Sequence, residues 1–308
     1  MDTSSQPNLA VQIGSLTLRN PVTTGSGTFG FGSEVADLLD LNRLGAVCVK
    51  ATTSKPRVGN PPQRIVETPS GMLNAIGLQN GGIDNYLTEK LPYLRRFDCP
   101  IIVNVPGENP EDFAYVVRRL TEAAGADAIE LNISCPNVSH GLDYATDPKL
   151  TAEVVAACRR QTKIPLIAKL SPNVTDIRPI ARAAEDAGAD AVSLINTLLG
   201  TSIDVRKRRF RLANVTGGLS GPAIKPIALF HVWRVAQVVR VPIIGMGGIM
   251  TAEDALEFFL AGATAVAVGT ANFVNPAVAL EIVEGIERYL AENGFGDIRE
   301  IIGAVEQP

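Results

Sequence analysis

Glu130-Leu131-Asn132-Ile133-Ser134-Cys135-Pro136-Asn137 reads as a strand that ends in polar chemistry. Ala128, Ile129, Leu131 and Ile133 are apolar or β-branched, as a buried strand requires. Pro136 has no N–H to give a sheet and stops the run. Two carboxamides and a thiol therefore gather at the carboxyl end of one strand. Asn132 and Asn137 each offer donors and an acceptor, which suits a planar ligand with ring N–H and C=O groups. Cys135 is the proton-transfer candidate of the stretch; taken alone, a free cysteine is more often buried and inert.

Working outward, the same design repeats. One kind of strand starts after a proline: Pro21-Val-Thr-Thr, Pro100-Ile-Ile-Val-Asn, Pro165-Leu-Ile-Ala-Lys and Pro242-Ile-Ile-Gly. A second kind follows a helix ending in Gly-Ala: Gly45-Ala-Val-Cys-Val-Lys, Gly125-Ala-Asp-Ala-Ile-Glu, Gly188-Ala-Asp-Ala-Val-Ser and Gly262-Ala-Thr-Ala-Val-Ala. Glycine at those ends suits a left-handed helix cap. The two kinds alternate and give eight strands. Residues 110–124, 147–162, 175–187, 223–239, 251–261 and 276–292 carry apolar residues at helical spacing. Continuous apolar strands between amphipathic helices predict a parallel sheet covered by helices. Eight such units predict an α/β fold of the (β/α)8 TIM-barrel type. An open doubly wound sheet is the alternative, but no early Gly-x-Gly-x-x-Gly opens a βαβ unit. Residues 9–19 alternate around Gly14-Ser15 and predict an N-terminal β-hairpin. Two longer gaps, residues 51–99 and 197–222, predict insertions after strands two and six, at the face where barrels build active sites.

The chain has 308 residues, long for an ordinary domain but normal for one barrel, and residues 1–308 are expected to form a single unit. A hydrophobic content of 46% against 19% charged residues supplies a large core. The net charge of −4 argues against general nucleic-acid binding. The basic cluster Arg206-Lys207-Arg208-Arg209, followed by Arg211, reads as a solvated hairpin or loop. Cys48, Cys99, Cys135 and Cys158 are scattered without metal or cluster spacing, so no metal site is expected. No apolar run is long enough to span a bilayer, and the N-terminus does not read as a signal peptide. These features predict a soluble, cytoplasmic protein.

The strand ends then define one face: Gly25-Ser26-Gly27, Lys50, Asn104, Asn132 with Cys135, Lys169, Asn196-Thr197, Gly247-Gly248 and Gly269-Thr270. Polar groups at so many strand ends are hard to explain as packing, since each must be satisfied when buried. The glycines after strands seven and eight let backbone N–H groups approach an anion, and a following helix start adds its dipole. Lys50 and Lys169 face a pocket with few acids, where either can pair with an anion, stabilise developing charge or form a Schiff base. Asn74, among apolar residues and glycines of the first insertion, suits a wall packed on a flat ligand. His231 falls in an outer helix and His140 in the loop after Cys135, so no histidine sits at a strand end.

Together Lys50-Ala-Thr-Thr, Asn74-Ala-Ile-Gly-Leu-Gln-Asn, Glu130-Leu-Asn-Ile-Ser-Cys-Pro-Asn, Lys169-Leu-Ser-Pro-Asn, Ile195-Asn-Thr, Gly218-Leu-Ser-Gly-Pro-Ala-Ile-Lys-Pro and Gly245-Met-Gly-Gly-Ile resemble class 1 dihydroorotate dehydrogenase over residues 9–275. The resemblance implies an FMN-binding barrel that oxidises dihydroorotate to orotate in pyrimidine biosynthesis. It implies that Cys135 removes the C5 proton. Lys50, Asn74, Asn132, Asn137, Asn196 and Thr197 would hold the pyrimidine and its carboxylate, with the backbone of Ala75, Ile76, Gly77 and Leu78 lining the same pocket. Ser26, Lys50, Ala51, Asn104, Asn132, Lys169 and Ile195 would contact the flavin. Gly221, Gly247, Gly248, Gly269 and Thr270 would take its ribityl chain and phosphate. The sequence departs from the family's common pattern at Gly25, where alanine often precedes Ser-Gly.

The Asn74-Ala-Ile-Gly-Leu-Gln-Asn stretch resembles the class 1B catalytic subunit rather than the fumarate-reducing class 1A enzymes. That implies a partner chain carrying FAD and a [2Fe-2S] cluster that passes electrons to NAD, around a homodimer of catalytic chains in a heterotetramer. The chain itself has neither cluster-type cysteine spacing nor a dinucleotide fingerprint, which fits such a division. The competing readings are a flavin-dependent reductase of uracil-like pyrimidines, a class 1A enzyme, a flavin-free aldolase or lyase using a lysine, and a barrel serving only as an assembly surface.

Overall fold

A computed structural model describes residues 6–134 and 143–306. Eight short parallel strands form the centre. They are β1 (Val22–Thr24), β2 (Val47–Val49), β3 (Ile101–Val105), β4 (Ala128–Asn132), β5 (Leu166–Lys169), β6 (Ala191–Leu194), β7 (Ile243–Met246) and β8 (Ala265–Val268). Neighbours pair in sequence order from β2 to β8, β8 pairs with β1, and a parallel bridge between Thr23 and Ala46 closes the ring. This is the (β/α)8 barrel that the alternation of strand types predicts, and each strand begins within three residues of its expected proline or Gly-Ala marker. The strands are almost wholly buried, because helices cover their outer side and side chains fill the inside.

The expected helices form at Pro110–Glu122, Pro148–Arg159, Arg178–Asp186, Lys225–Ala236, Ala252–Leu260 and Val278–Glu292. Asn109, Asp147 and Thr251 start three of them by accepting hydrogen bonds from first-turn N–H groups. The Gly-Ala markers hold for a less uniform reason than a left-handed cap. Gly188 and Gly262 do take positive φ, but at the corresponding end before β4 the left-handed residue is Ala124, at φ 48°. Before β2 there is no α-helix: the glycine-rich run 25–32 breaks the helical pattern, leaving the 3-10 turn Leu41–Arg43. Gly45 is required there by close approach, since a Cβ would lie 2.1 Å from the Asn20 carbonyl oxygen.

The N-terminal hairpin pairs Val11–Ile13 with Leu16–Leu18. The two insertions, separate in sequence, share one antiparallel sheet. Its order is Leu198–Thr201, Thr216–Ser220, Gly71–Asn74 and Ile65–Thr68, with Gly218 opposite Asn74. The first insertion also contains helical turns between Gly82 and Leu94, which its apolar spacing alone does not announce. Ile83, Tyr86 and Leu94 are buried there, and the Tyr86 hydroxyl donates to the Gly125 carbonyl at 2.7 Å. The basic cluster lies in and after the exposed hairpin Ile203–Asp204 with Arg209–Phe210, as its composition suggests.

Candidate active site

β-Strand parity decides what faces the barrel's interior. On β4, Glu130 and Asn132 share the inward side while Ala128-side residues below them are apolar. Asn104 lies beside Glu130 in the β3–β4 register, Lys169 beside Asn132 in β4–β5, and Ser193 beside Lys169 in β5–β6. Polar side chains from adjacent strands thus meet at one end of the barrel.

Above them is a cavity of about 420 Å³, within the range of small-molecule sites. Its floor and walls contain Ser26, Lys50, Ala51, Asn104, Asn132, Lys169, Ile195, Asn196 and Thr197. Gly221, Gly247, Gly248, Gly269 and Thr270 line it too, and the inserted sheet contributes Met72, Asn74, Gly218 and Ser220. Ile76 and Leu78 reach it from the first insertion. Ala75 does not: it is buried in a small cluster with Val66, Leu73 and Leu212. Gly77 faces a neighbouring depression with Asn60 and Pro106. Cys135, Asn137 and His140 lie outside the described residues. His231 is buried in the outer helix Lys225–Ala236, away from the cavity.

The carboxamides form a row with one direction. Asn196 Nδ2 donates to Asn132 Oδ1 at 3.4 Å, Asn132 Nδ2 to Asn104 Oδ1 at 3.4 Å, and Asn104 Nδ2 to Glu130 Oε1 at 2.6 Å. Asn196 is braced further by Ser134 Oγ at 2.7 Å and accepts from the Thr197 N–H at 2.8 Å. Asn74 Nδ2 donates to the Gly218 carbonyl at 3.3 Å across the inserted sheet. A planar ligand would therefore meet amides whose orientation is already set.

The two cavity lysines differ. Lys169 Nζ lies 3.2 Å from Glu130 Oε1 and 3.3 Å from Ser26 Oγ. Lys50 has no hydrogen-bond or ion-pair partner among the described residues. Burial holds the Lys50 ammonium below the usual lysine range; Glu34 opposes that shift and Arg64 adds to it. An incoming carboxylate would relieve this cost. The described cavity lining contains no Asp or Glu, so nothing there repels an anion.

Glu130 is the residue that sequence reasoning missed. It was legible as a lone acid among apolar neighbours, two residues before Asn132 and hence on the same side of the strand. Only the closed barrel brings its partners to it. Ser193 Oγ donates to its Oε2 at 2.9 Å, and the Cys48 thiol lies 3.6 Å from its Oε1. Cys48 is a core residue rather than a nucleophile: it is buried within β2, and burial first, then the Glu130 charge, push its thiol up. Burial likewise pushes Cys99 and Cys158 up to about 12.

At the β7 and β8 ends the backbone is open to an anion. The N–H groups of Gly247 and Gly248 donate to no other described residue. A Cβ at Gly269 would meet nothing within 4 Å and would project into space at the cavity wall; at Gly248 it would lie 2.8 Å from the Lys225 nitrogen. The helix start after β7 contributes less than its position suggests. Asp254 already accepts from the Met250 and Thr251 N–H groups at 2.8 and 2.9 Å, so those donors are spent.

A family model described as dihydroorotate dehydrogenase matches residues 8–290. The chain belongs to the dihydroorotate dehydrogenase family. Among curated relatives, a protein of Trichlorobacter lovleyi is 59% identical over 98% of this chain and 99% of its own length. One from Desulforamulus reducens is 58% identical over 96% and 98%, and one from Geobacter sulfurreducens is 57% identical over 98% and 99%. All three are named dihydroorotate dehydrogenase B (NAD(+)), catalytic subunit. Of the motifs quoted from the sequence, Lys50, Asn74, Asn132, Lys169, Asn196 and the Gly247-Gly248 pair line the cavity just described, and residues 135–142 lie outside the described residues.

Proposed function

We propose that the chain, as one barrel over residues 1–308, is the FMN-bearing catalytic subunit of an NAD-linked dihydroorotate dehydrogenase. It oxidises dihydroorotate to orotate in de novo pyrimidine biosynthesis. The observation that carries this reading is the pairing, in one cavity, of a set row of carboxamides with the unpartnered Lys50. Such a cavity suits a flat, amide-bearing ring with a carboxylate, and a uracil-like ring would leave Lys50 without its anion. Full-length similarity to relatives carrying the class B name supports the same choice over the fumarate-linked alternative.

The residues present fit FMN. Unspent glycine N–H groups at the β7 end and the open space beside Gly269 suit a phosphate and its chain, with Gly221 and Thr270 adjoining. Ser26, Lys50, Ala51, Asn104, Asn132, Lys169 and Ile195 would hold the ring. When bound, FMN supplies the two-electron oxidant. Lys50 would hold the substrate carboxylate, and Asn74, Asn132, Asn137, Asn196 and Thr197 the ring edges. Ile76 and Leu78 would close the pocket above, supported by the Ala75 and Gly77 backbone. Cys135 would take the C5 proton as general base, a role carried by the family motif. The base must act on a carbon acid; no acyl or phosphoryl group needs attack, so a covalent intermediate is not required.

Electrons would leave through a partner subunit holding FAD and a [2Fe-2S] cluster, which reduces NAD. Exposed Phe273 and Val274, beside the cavity rim, and Phe230 and Trp233 on the outer helix supply apolar surface for docking. Ile203, Val205, Phe210 and Val215, exposed around the second insertion, offer another such surface for a second catalytic chain, giving a heterotetramer. No described helix is long and apolar enough to cross a membrane, and the three described cysteines are free. Both fit a cytoplasmic enzyme. The test is anaerobic addition of dihydroorotate to the purified yellow chain, followed by NAD with and without the partner. The expected result is rapid bleaching by dihydroorotate and not by dihydrouracil, with fast NAD-dependent recovery only when the partner is present. A colourless protein, or equal bleaching by both compounds, would refute the reading.

A further inference from the structure

The inside of a barrel is ordinarily filled by layers of branched apolar side chains. Here one layer is built around a carboxylate instead. Glu130 collects donors from three other strands: Asn104 on β3 at 2.6 Å, Lys169 on β5 at 3.2 Å and Ser193 on β6 at 2.9 Å. Cys48 on β2 completes the surround. The side chains of Lys169 and Glu130 are only 6% and 4% exposed. Stability does not explain such a pair, because a buried ion pair gains little over well-packed apolar residues of similar volume. Position does. Glu130 sits one layer below Asn132, beneath the cavity, while Lys169 lines the cavity itself. Glu130 and Ser26 occupy two of the three ammonium donors, which leaves one for a ligand.

We propose that Glu130 is a positioning residue that acts through Lys169, aiming its ammonium at the cavity floor and moderating the positive charge that a bound flavin meets there. This rests on the flavin reading above and deepens it. Charge beside the ring is one of the means by which a protein tunes flavin electronics. A flavin gains negative charge on reduction, so a nearby cation favours the reduced form, and a carboxylate 3.2 Å behind that cation subtracts from its effect. The charged group facing Glu130 is Lys169; Asn104, Ser193 and the Cys48 thiol are neutral donors that fix the carboxylate in place.

The test is the midpoint potential of the flavin-loaded chain, measured in wild type, Glu130→Gln, Lys169→Met and the double variant. Glu130→Gln keeps an acceptor for Asn104 and removes the charge. It should shift the reduced-to-oxidised ratio about tenfold toward reduced, roughly 30 mV upward for a two-electron couple. Lys169→Met should shift it the other way. In that background the Glu130 carboxylate has no ammonium to act through, so adding Glu130→Gln should change the ratio by less than about threefold. A purely structural role would lower the melting temperature and leave the potential where it was. An unchanged potential in Glu130→Gln, or an equal shift in both backgrounds, overturns the proposal. If Glu130→Gln does not fold, Ser193→Ala, which releases one oxygen of the carboxylate, should give a smaller upward shift that vanishes with Lys169→Met; its absence has the same force. A wild-type chain that binds no flavin removes the reading beneath the proposal, an outcome distinct from a flavin-loaded chain whose potential ignores Glu130.

Discussion

Lys50 and Lys169 stand at the carboxyl ends of β2 and β5 and look into the same cavity, yet their surroundings are opposite. Lys169 is held by a carboxylate at 3.2 Å and a hydroxyl at 3.3 Å. Lys50 is half-buried, has no partner among the described residues, and is kept below the ordinary lysine range chiefly by that burial. The difference teaches that a lysine at a barrel mouth is not one kind of device. The anchored one contributes a fixed field; the unanchored one keeps its charge in need of a counterion and is suited to capture an anionic ligand.

The largest expected effect tests whether either lysine is also the base. If the proton goes to Cys135, Cys135→Ala should slow flavin reduction by dihydroorotate by roughly 10²–10⁴-fold while orotate still binds. Stopped-flow reduction measures it. Unchanged kinetics would assign the base to a group other than Cys135 and reopen the division of labour between the lysines.

Breaking the anchored pair comes next. Glu130→Ala strands the Lys169 ammonium in the barrel and should cost about 3–5 kcal/mol of stability, seen as a melting temperature lower by on the order of ten degrees. A melt within two degrees or so of wild type would mean that the buried pair is not held as a pair.

Lys50→Met should give the converse. It removes a charge-assisted contact of roughly 1.5–3 kcal/mol, so orotate affinity should fall about 10- to 100-fold with the melting temperature nearly unchanged. Equal losses of stability in the two variants would erase the contrast between the lysines.

The smallest effect is a pH dependence. Below its lowered pKa, Lys50 is protonated against the cost of burial, a destabilisation that fades as pH rises from that pKa toward the free-lysine value. A bound carboxylate reverses the preference. Orotate affinity should therefore decline as pH rises through the lowered Lys50 value, still below the free-lysine value of about 10.4, and binding should take up protons in that window. Isothermal titration in two buffers of different ionisation heat reports the uptake. Lys50→Met should show neither effect; a persisting alkaline decline in that variant would assign it to another group.

Much of this was legible in the chain, and particular residues show why. Prolines before β1, β3, β5 and β7 mark strand starts because a proline needs no ladder hydrogen bond there. The glycine pair at 247–248 and the asparagines at 104, 132 and 196 were readable as site residues because each interrupts an apolar strand at the same end. The helical turns of Gly82–Leu94 were hidden by the glycines and prolines around them, although Ile83, Tyr86 and Leu94 carry a helical spacing. The common sheet of the two insertions could not be read at all, since Asn74 and Gly218 are strangers in sequence.

The sequence by itself determined the barrel, its hairpin, its functional face and its family, because strand and helix periodicities are local and the motifs are contiguous. The tertiary structure decided what each polar group does. Closure of the barrel gives Lys169 its carboxylate and leaves Lys50 without one, and it turns Glu130 from a charge within a strand into the hub of a buried layer. Those outcomes depend on register between strands far apart in the chain, and register is fixed by packing rather than by any single segment.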